Sequence, residues 1–155
     1  MKTIGIISDT HNLLRPAVLA RLSACDMILH GGDISRPQVL AELRKLAPVQ
    51  AVRGNNDRDW PEDLPYTLDL DVYGLRVFMT HKKSDLPADL SPYDMVIFGH
   101  SHKYDLKKQG DTVLLNPGSC GPRRFSQPIT MAVMVLQEDG NFTIERIDIP
   151  HEDRK

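Results

Sequence analysis

The stretch Met27-Ile28-Leu29-His30-Gly31-Gly32-Asp33 joins a short apolar run to two glycines and a carboxylate. The run Met27-Ile28-Leu29 predicts a buried strand, and the glycine pair marks its abrupt end. Two glycines let the backbone turn tightly and let a bulky group approach where side chains would block it. Asp33 therefore falls at the carboxyl end of a strand, where open α/β sheets gather their ligands. Gly-Gly-Asp alone is an ordinary turn. Asp33 gains weight because four more strand ends carry residues of the same chemical kind.

Upstream, Lys2 to Ser8 reads as a buried strand ending in Asp9-Thr10-His11. Pro16 opens a helix with Val18, Leu19 and Leu22 on its apolar face. Downstream of Asp33, Pro37 opens a second helix with buried positions at Val39, Leu40, Leu43 and Leu46, and Pro48 stops it. Val49 to Val52 is a third strand, followed by Arg53-Gly54-Asn55-Asn56-Asp57. Alternating strands and helices predict a parallel sheet with crossover helices.

From Tyr66 the pattern changes. Leu68-Asp69-Leu70-Asp71-Val72 alternates as a half-exposed strand does, and Tyr73-Gly74 suits a turn into Leu75–Thr80, which ends at His81. Met95–Phe98 runs into Gly99-His100-Ser101-His102, and Val113–Leu115 into Asn116-Pro117-Gly118-Ser119. Ile129–Leu136 and Phe142–Ile149, joined across Asp139-Gly140, predict a terminal hairpin. The tail from His151 to Lys155 is polar. The expected architecture is α/β: two packed mixed β-sheets with helices outside, in a single domain over residues 1–155.

Composition narrows the function. A chain of 155 residues with 41% hydrophobic content can bury one core. Net charge is -2, with 19 basic and 21 acidic residues in no long runs, so strong nucleic-acid binding is not expected. No stretch reaches the roughly 20 apolar residues of a membrane span. The amino terminus turns polar too early for a signal peptide. Cys25 and Cys120 have no metal-type spacing and are expected to be reduced, which points to a cytoplasmic protein. The terminal hairpin offers a surface through which a homo-oligomer could form.

The candidate metal ligands are Asp9, His11, Asp33, Asn55, His81, His100 and His102, all just after expected strands. Asp9 and His11 are two apart, as are His100 and His102. In extended backbone such pairs face one side about 7 Å apart and could converge on neighbouring ions. Mixed imidazole and oxygen donors suit borderline divalent metals, with Mn, Ni, Co, Fe and Zn ahead of calcium or magnesium. Two such ions about 3.5–4 Å apart clamp an in-line phosphoryl displacement. Four metal charges, less three from Asp9, Asp33 and a bridging hydroxide, leave a positive site that attracts a phosphate ester.

These motifs resemble, in order, those of the calcineurin-like metallophosphoesterases: Asp9-x-His11, Gly32-Asp33, Gly54-Asn55-x-Asp57, His81 and Gly99-His100-x-His102. The length, the missing cap domain and Asn116-Pro117-Gly118-Ser119 are similar to the small bacterial and archaeal phosphodiesterase branch. The resemblance implies a four-layer αββα sandwich. It also implies two divalent ions, manganese first, and hydrolysis of a small-molecule phosphodiester by a metal-bridging hydroxide. By position, Asp9, His11, Asp33 and His102 would hold one ion; Asp33, Asn55, His81 and His100 would hold the other, with Asp33 bridging.

One position departs from the wider superfamily. After the metal-binding asparagine a histidine often stands, placed to protonate the leaving group; here it is Asn56, which has no proton to transfer near neutral pH. Asp57 is expected to orient its neighbours, and is the alternative donor of that proton. Arg36 and Arg123 are candidate phosphate contacts, since arginine suits bidentate phosphate recognition. Two other readings stay open: a phosphomonoesterase of the same fold, or a non-catalytic scaffold that kept the site, as in some eukaryotic trafficking relatives. Those relatives typically lack some metal histidines, whereas this chain retains all four.

Overall fold

The computed structural model describes residues 1–55, 57, 64–123 and 127–150. Two five-stranded mixed sheets form the α/β frame. The first has the order β10-β9-β1-β2-β3, from β1 (Lys2–Ile7), β2 (Met27–His30), β3 (Val49–Ala51), β9 (Thr130–Leu136) and β10 (Phe142–Asp148). The second runs β4-β5-β6-β8-β7, from β4 (Thr67–Val72), β5 (Leu75–Thr80), β6 (Met95–Ile97), β7 (Asp105–Gln109) and β8 (Thr112–Asn116). β1, β2 and β3 are mutually parallel, as are β5, β6 and β8. The motif loops leave the carboxyl ends of these six strands.

Alternation along β1 explains the layering. Ile4 and Ile6 point into the core between the sheets, with Leu29, Val77, Met79, Ile97 and Met134. Ile7 points the other way, onto α1 (Pro16–Leu22) and α2 (Pro37–Arg44), which bury Val18, Leu22, Val39, Leu40 and Leu43. Gly5 shares that face; a Cβ there would run into the Leu22 side chain, so its absence seats α1 closely on the sheet. The outer face of the second sheet is covered by Leu86, Leu90 and Tyr93 over Phe78, Val96, Phe98 and Leu114. The helical part of that layer is a 3-10 turn at Lys83–Asp85.

Two details differ from the sequence reading. α2 ends at Arg44, well short of Pro48, and Leu46 packs half-buried from the turn that follows. That turn is closed by Leu46 N–H and Ala47 N–H on the Leu43 carbonyl, so the chain leaves the helix before proline can act. β7, with the sequence Asp-Leu-Lys-Lys-Gln, was not expected as a strand. It is an exposed edge strand, which needs no apolar alternation and whose lysines discourage further pairing. The Tyr73-Gly74 turn is as expected: both residues have positive φ, 50° and 97°, as a two-residue hairpin demands. Among the described residues, no helix is long and apolar enough to cross a membrane.

Candidate metal centre

The loops that carry the motifs are not extended. Asp9, His11, Asp33, His100 and His102 have φ of 57°, 44°, 60°, 77° and 64°, all left-handed. The expectation that i, i+2 spacing aligns each pair along a strand is therefore corrected. The chain curls at each residue, and His100 and His102 go to different groups. Such backbone costs about 1–3 kcal/mol per residue and persists where the surroundings enforce it. Here the enforcement is a ladder continued past the strands: Asp9 N–H donates to Gly32 O, His11 N–H to Asp33 O and Asn12 N–H to Ile34 O, each at 2.9 Å.

Two groups of donors result. Asp9, His11 and His102 bring one ligand atom each to within 4.8 Å of one another, and Asp33, His81 and His100 do the same. The His11 and His102 rings lie 5.3 Å apart, and those of His81 and His100 5.2 Å apart. Asp33 touches both sets: its Oδ2 is 3.5 Å from His11 Nε2 and 3.2 Å from His81 Nε2. Asn55 follows β3 at the exposed rim. It lines, together with His81, a cleft of about 350 Å³ whose walls include Arg53, Tyr66, Lys82 and Asp85.

Each buried donor is aimed by a second contact. Asp9 Oδ2 accepts from Ser8 Oγ at 2.8 Å and from the His100 N–H at 3.2 Å. Its Oδ1 then faces the histidines, 3.4 Å from His102 Nε2, buried and without a hydrogen-bond partner. His81 Nδ1 donates to the Gly31 carbonyl at 2.8 Å, which fixes the tautomer and leaves a bare Nε2, also buried and without a hydrogen-bond partner. Burial opposes charge on Asp9, but His102 and His11 outweigh it and hold the carboxyl well below the usual carboxylate range. Burial likewise disfavours charged His81, yet Asp33 and Asp9 raise its pKa above that of an ordinary histidine. Unpartnered buried oxygen and nitrogen lone pairs converging from several strands are what a borderline divalent ion needs. The donor set fits such an ion.

Asp57 is buried directly against the Asp33 loop. Its carboxylate accepts the N–H groups of Asp33, Ile34, Ser35 and Gly54, at 2.9, 3.0, 2.8 and 2.9 Å at the nearer oxygen. It clamps the Asp33 loop to the Asn55 loop. Asn56, the other residue considered for catalysis, lies outside the described residues. Arg36 is exposed at the start of α2, and Arg123 is exposed just past Gly121, whose backbone packs on Asp9 and Thr10.

Sequence reasoning missed two supports and one wall. Asn116 Nδ2 donates to Gly99 O and Ser101 Oγ, while Ser119 Oγ donates to Asp9 O, so the Asn-Pro-Gly-Ser motif braces the His100 and Asp9 loops together. His30 is wholly buried: Gly32 N–H donates to its Nδ1 at 3.0 Å, and its Nε2–H donates to Thr10 Oγ1 at 3.0 Å. A histidine closing an apolar strand was the available signal. The Arg53–Tyr66 wall had none, because the two residues are distant in sequence. Both cysteines are buried and free, and burial pushes the Cys120 thiol up to about 12, so neither is a nucleophile.

The family model for the calcineurin-like phosphoesterase superfamily domain matches residues 1–139. A probable metallophosphoesterase of Methanothermobacter thermautotrophicus is 35% identical over 151 residues, covering 88% of this chain and 86% of the relative. A phosphodiesterase of Methanocaldococcus jannaschii is 28% identical over 138 residues, covering 76% of this chain and 83% of the relative. Among solved structures, Vps29 of Chaetomium thermophilum superposes with a TM-score of 0.77 at 18% identity, covering 96% of this chain and 95% of that one. The last likeness concerns fold alone. With the motif order, the domain match and the identity to the first relative all in agreement, the chain belongs to the calcineurin-like phosphoesterase superfamily.

Proposed function

We propose that this protein is a phosphodiesterase working with two divalent metal ions, manganese first. Asp9, His11, Asp33 and His102 would hold one ion; Asp33, Asn55, His81 and His100 would hold the other. The observation that carries this reading is the pair of buried atoms without a hydrogen-bond partner, Asp9 Oδ1 and His81 Nε2, the first held from behind by Ser8 and the second by Gly31 O. When bound, such ions supply Lewis acidity to phosphoryl oxygens and make water acidic enough to yield a nucleophile near neutral pH.

The chain's own residues do the positioning. Asp33 and Asp9 bring two buried negative charges to the site, and the histidines add none while neutral. A phosphodiester anion is therefore drawn in once the cations are present. Asp57 keeps the Asp33 loop in shape; both of its oxygens are engaged as acceptors, which argues against a role as proton donor. Arg36 and Arg123 are proposed as outer phosphate contacts. Support for a diester over a monoester comes from the Methanocaldococcus relative's name. A single domain over residues 1–155 and a cytoplasmic setting complete the reading, the latter supported by the two free buried cysteines.

The test is elemental analysis together with hydrolysis of bis(p-nitrophenyl) phosphate and p-nitrophenyl phosphate after chelation and reloading. Mn, Co or Ni should restore diester hydrolysis better than Mg. Full activity in metal-stripped protein would sink the proposal, and faster monoester turnover would make it a phosphomonoesterase.

A further inference from the structure

We propose that the cleft beside Asn55 and His81 is a nucleobase subsite, so that the diester turned over here carries a nucleoside on one arm. This rests on the phosphodiesterase reading above. The cleft opens from two of the proposed ligands, so a group attached to the reacting phosphate reaches it without leaving the site. Its volume of about 350 Å³ is at the small end of the ~300–1,000 Å³ usual for small-molecule sites, which suits one nucleoside-sized group.

The wall is built for a flat ring. Arg53 is pinned at both ends: its N–H donates to Pro65 O at 2.6 Å, and its Nε donates to Leu64 O at 3.0 Å. So held, its guanidinium sits 5.3 Å from the centre of the Tyr66 ring and backs it. Tyr66 is nonetheless 63% exposed, so ring surface stays open for stacking. A ring held against a pinned cation before a ligand arrives makes a platform on which any base can lie. Lys82 and Asp85 line the same cleft. Lysine only donates hydrogen bonds and aspartate only accepts them. A nucleobase edge offers both complements; an alkyl or plain aryl arm offers neither.

The experiment compares thymidine p-nitrophenyl phosphate with methyl p-nitrophenyl phosphate on manganese-loaded protein. Both expel the same nitrophenolate, so leaving-group chemistry cancels. Wild type should favour the thymidine diester in kcat/KM by about tenfold, the size of one base–aromatic stack. Tyr66→Ala should erase that preference through KM, and Tyr66→Phe should keep it. No preference, or one that survives Tyr66→Ala, overturns the subsite. If wild type hydrolyses neither diester, the phosphodiesterase reading fails instead. Calorimetry with thymidine monophosphate then decides the subsite: binding weakened about tenfold in Tyr66→Ala supports it, and equal affinities overturn it.

Discussion

The carboxylate of Asp57 accepts the backbone N–H of Asp33 at 2.9 Å, and with it those of Ile34, Ser35 and Gly54. One buried side chain thus satisfies four amide groups of the two loops that meet at the middle of the site. Asp57→Ala should destabilise the fold by at least ~3 kcal/mol, because charge-assisted bonds are lost and buried amides are left unpaired. Asp57→Asn keeps one acceptor oxygen and should lose less. Urea denaturation measures both. If Asp57 supplies no proton, the dependence of kcat on leaving-group pKa across substituted phenyl diesters should not change in Asp57→Asn; a steeper slope would assign it the acid role.

Asp33 Oδ2 lies near a histidine of each donor group. Asp33→Ala removes the carboxylate that would screen two cations from each other, so at least one metal should be lost. Activity should fall by well over ~100-fold, beyond the ~10–100-fold typical of residues that only orient ligands. Metal content by elemental analysis is the check, and two retained ions with wild-type turnover would refute the bridge.

His30 is buried and neutral, its pKa pushed down to about 4 by burial. The unfolded chain takes up a proton near pH 6.5 and the folded one only near 4, so stability is full above about 6.5 and declines as pH falls toward about 4. The contribution lost is on the order of 3 kcal/mol. Proton NMR of the His30 ring should show no protonation above pH ~5. In His30→Gln, urea midpoints should lose part of the wild type's acid sensitivity.

Gly99 is packed against Ser8 and Asp9. A Cβ at this position would overlap Ser8 Oγ and come within 2.8 Å of Asp9 Oδ2. Gly99→Ala should therefore break the Ser8–Asp9 hydrogen bond, turn Asp9 Oδ1 away from His102, and weaken metal binding by ~10–100-fold. Competition with a chromogenic chelator measures this. Unchanged affinity would mean that the loop can shift without disturbing Asp9.

Local sequence determined much of the frame. The apolar run in Lys2–Ile7, the alternation in Thr67–Val72, the prolines at the start of both helices, and the Tyr73-Gly74 turn are each dictated by residues near one another, so they are legible without the fold. The order of the Asp, Asn and His motifs was legible for the same reason: each follows its own apolar run. β7 was not, because an edge strand is defined by its neighbour β8 and not by its own side chains. The grouping of the donors followed from the family resemblance and not from their spacing; only the tertiary structure shows how residues two apart are separated. His100 and His102 are two apart yet join different groups, because left-handed backbone at both turns their side chains in separate directions. It also supplied the partners of Asp57, expected from sequence only to orient its neighbours, and decided that Asn116 and Ser119 brace distant loops and that Arg53 lies against Tyr66. Those contacts join residues 13 to 110 positions apart, and only the pairing of strands within each sheet and the packing of the two sheets bring such residues together.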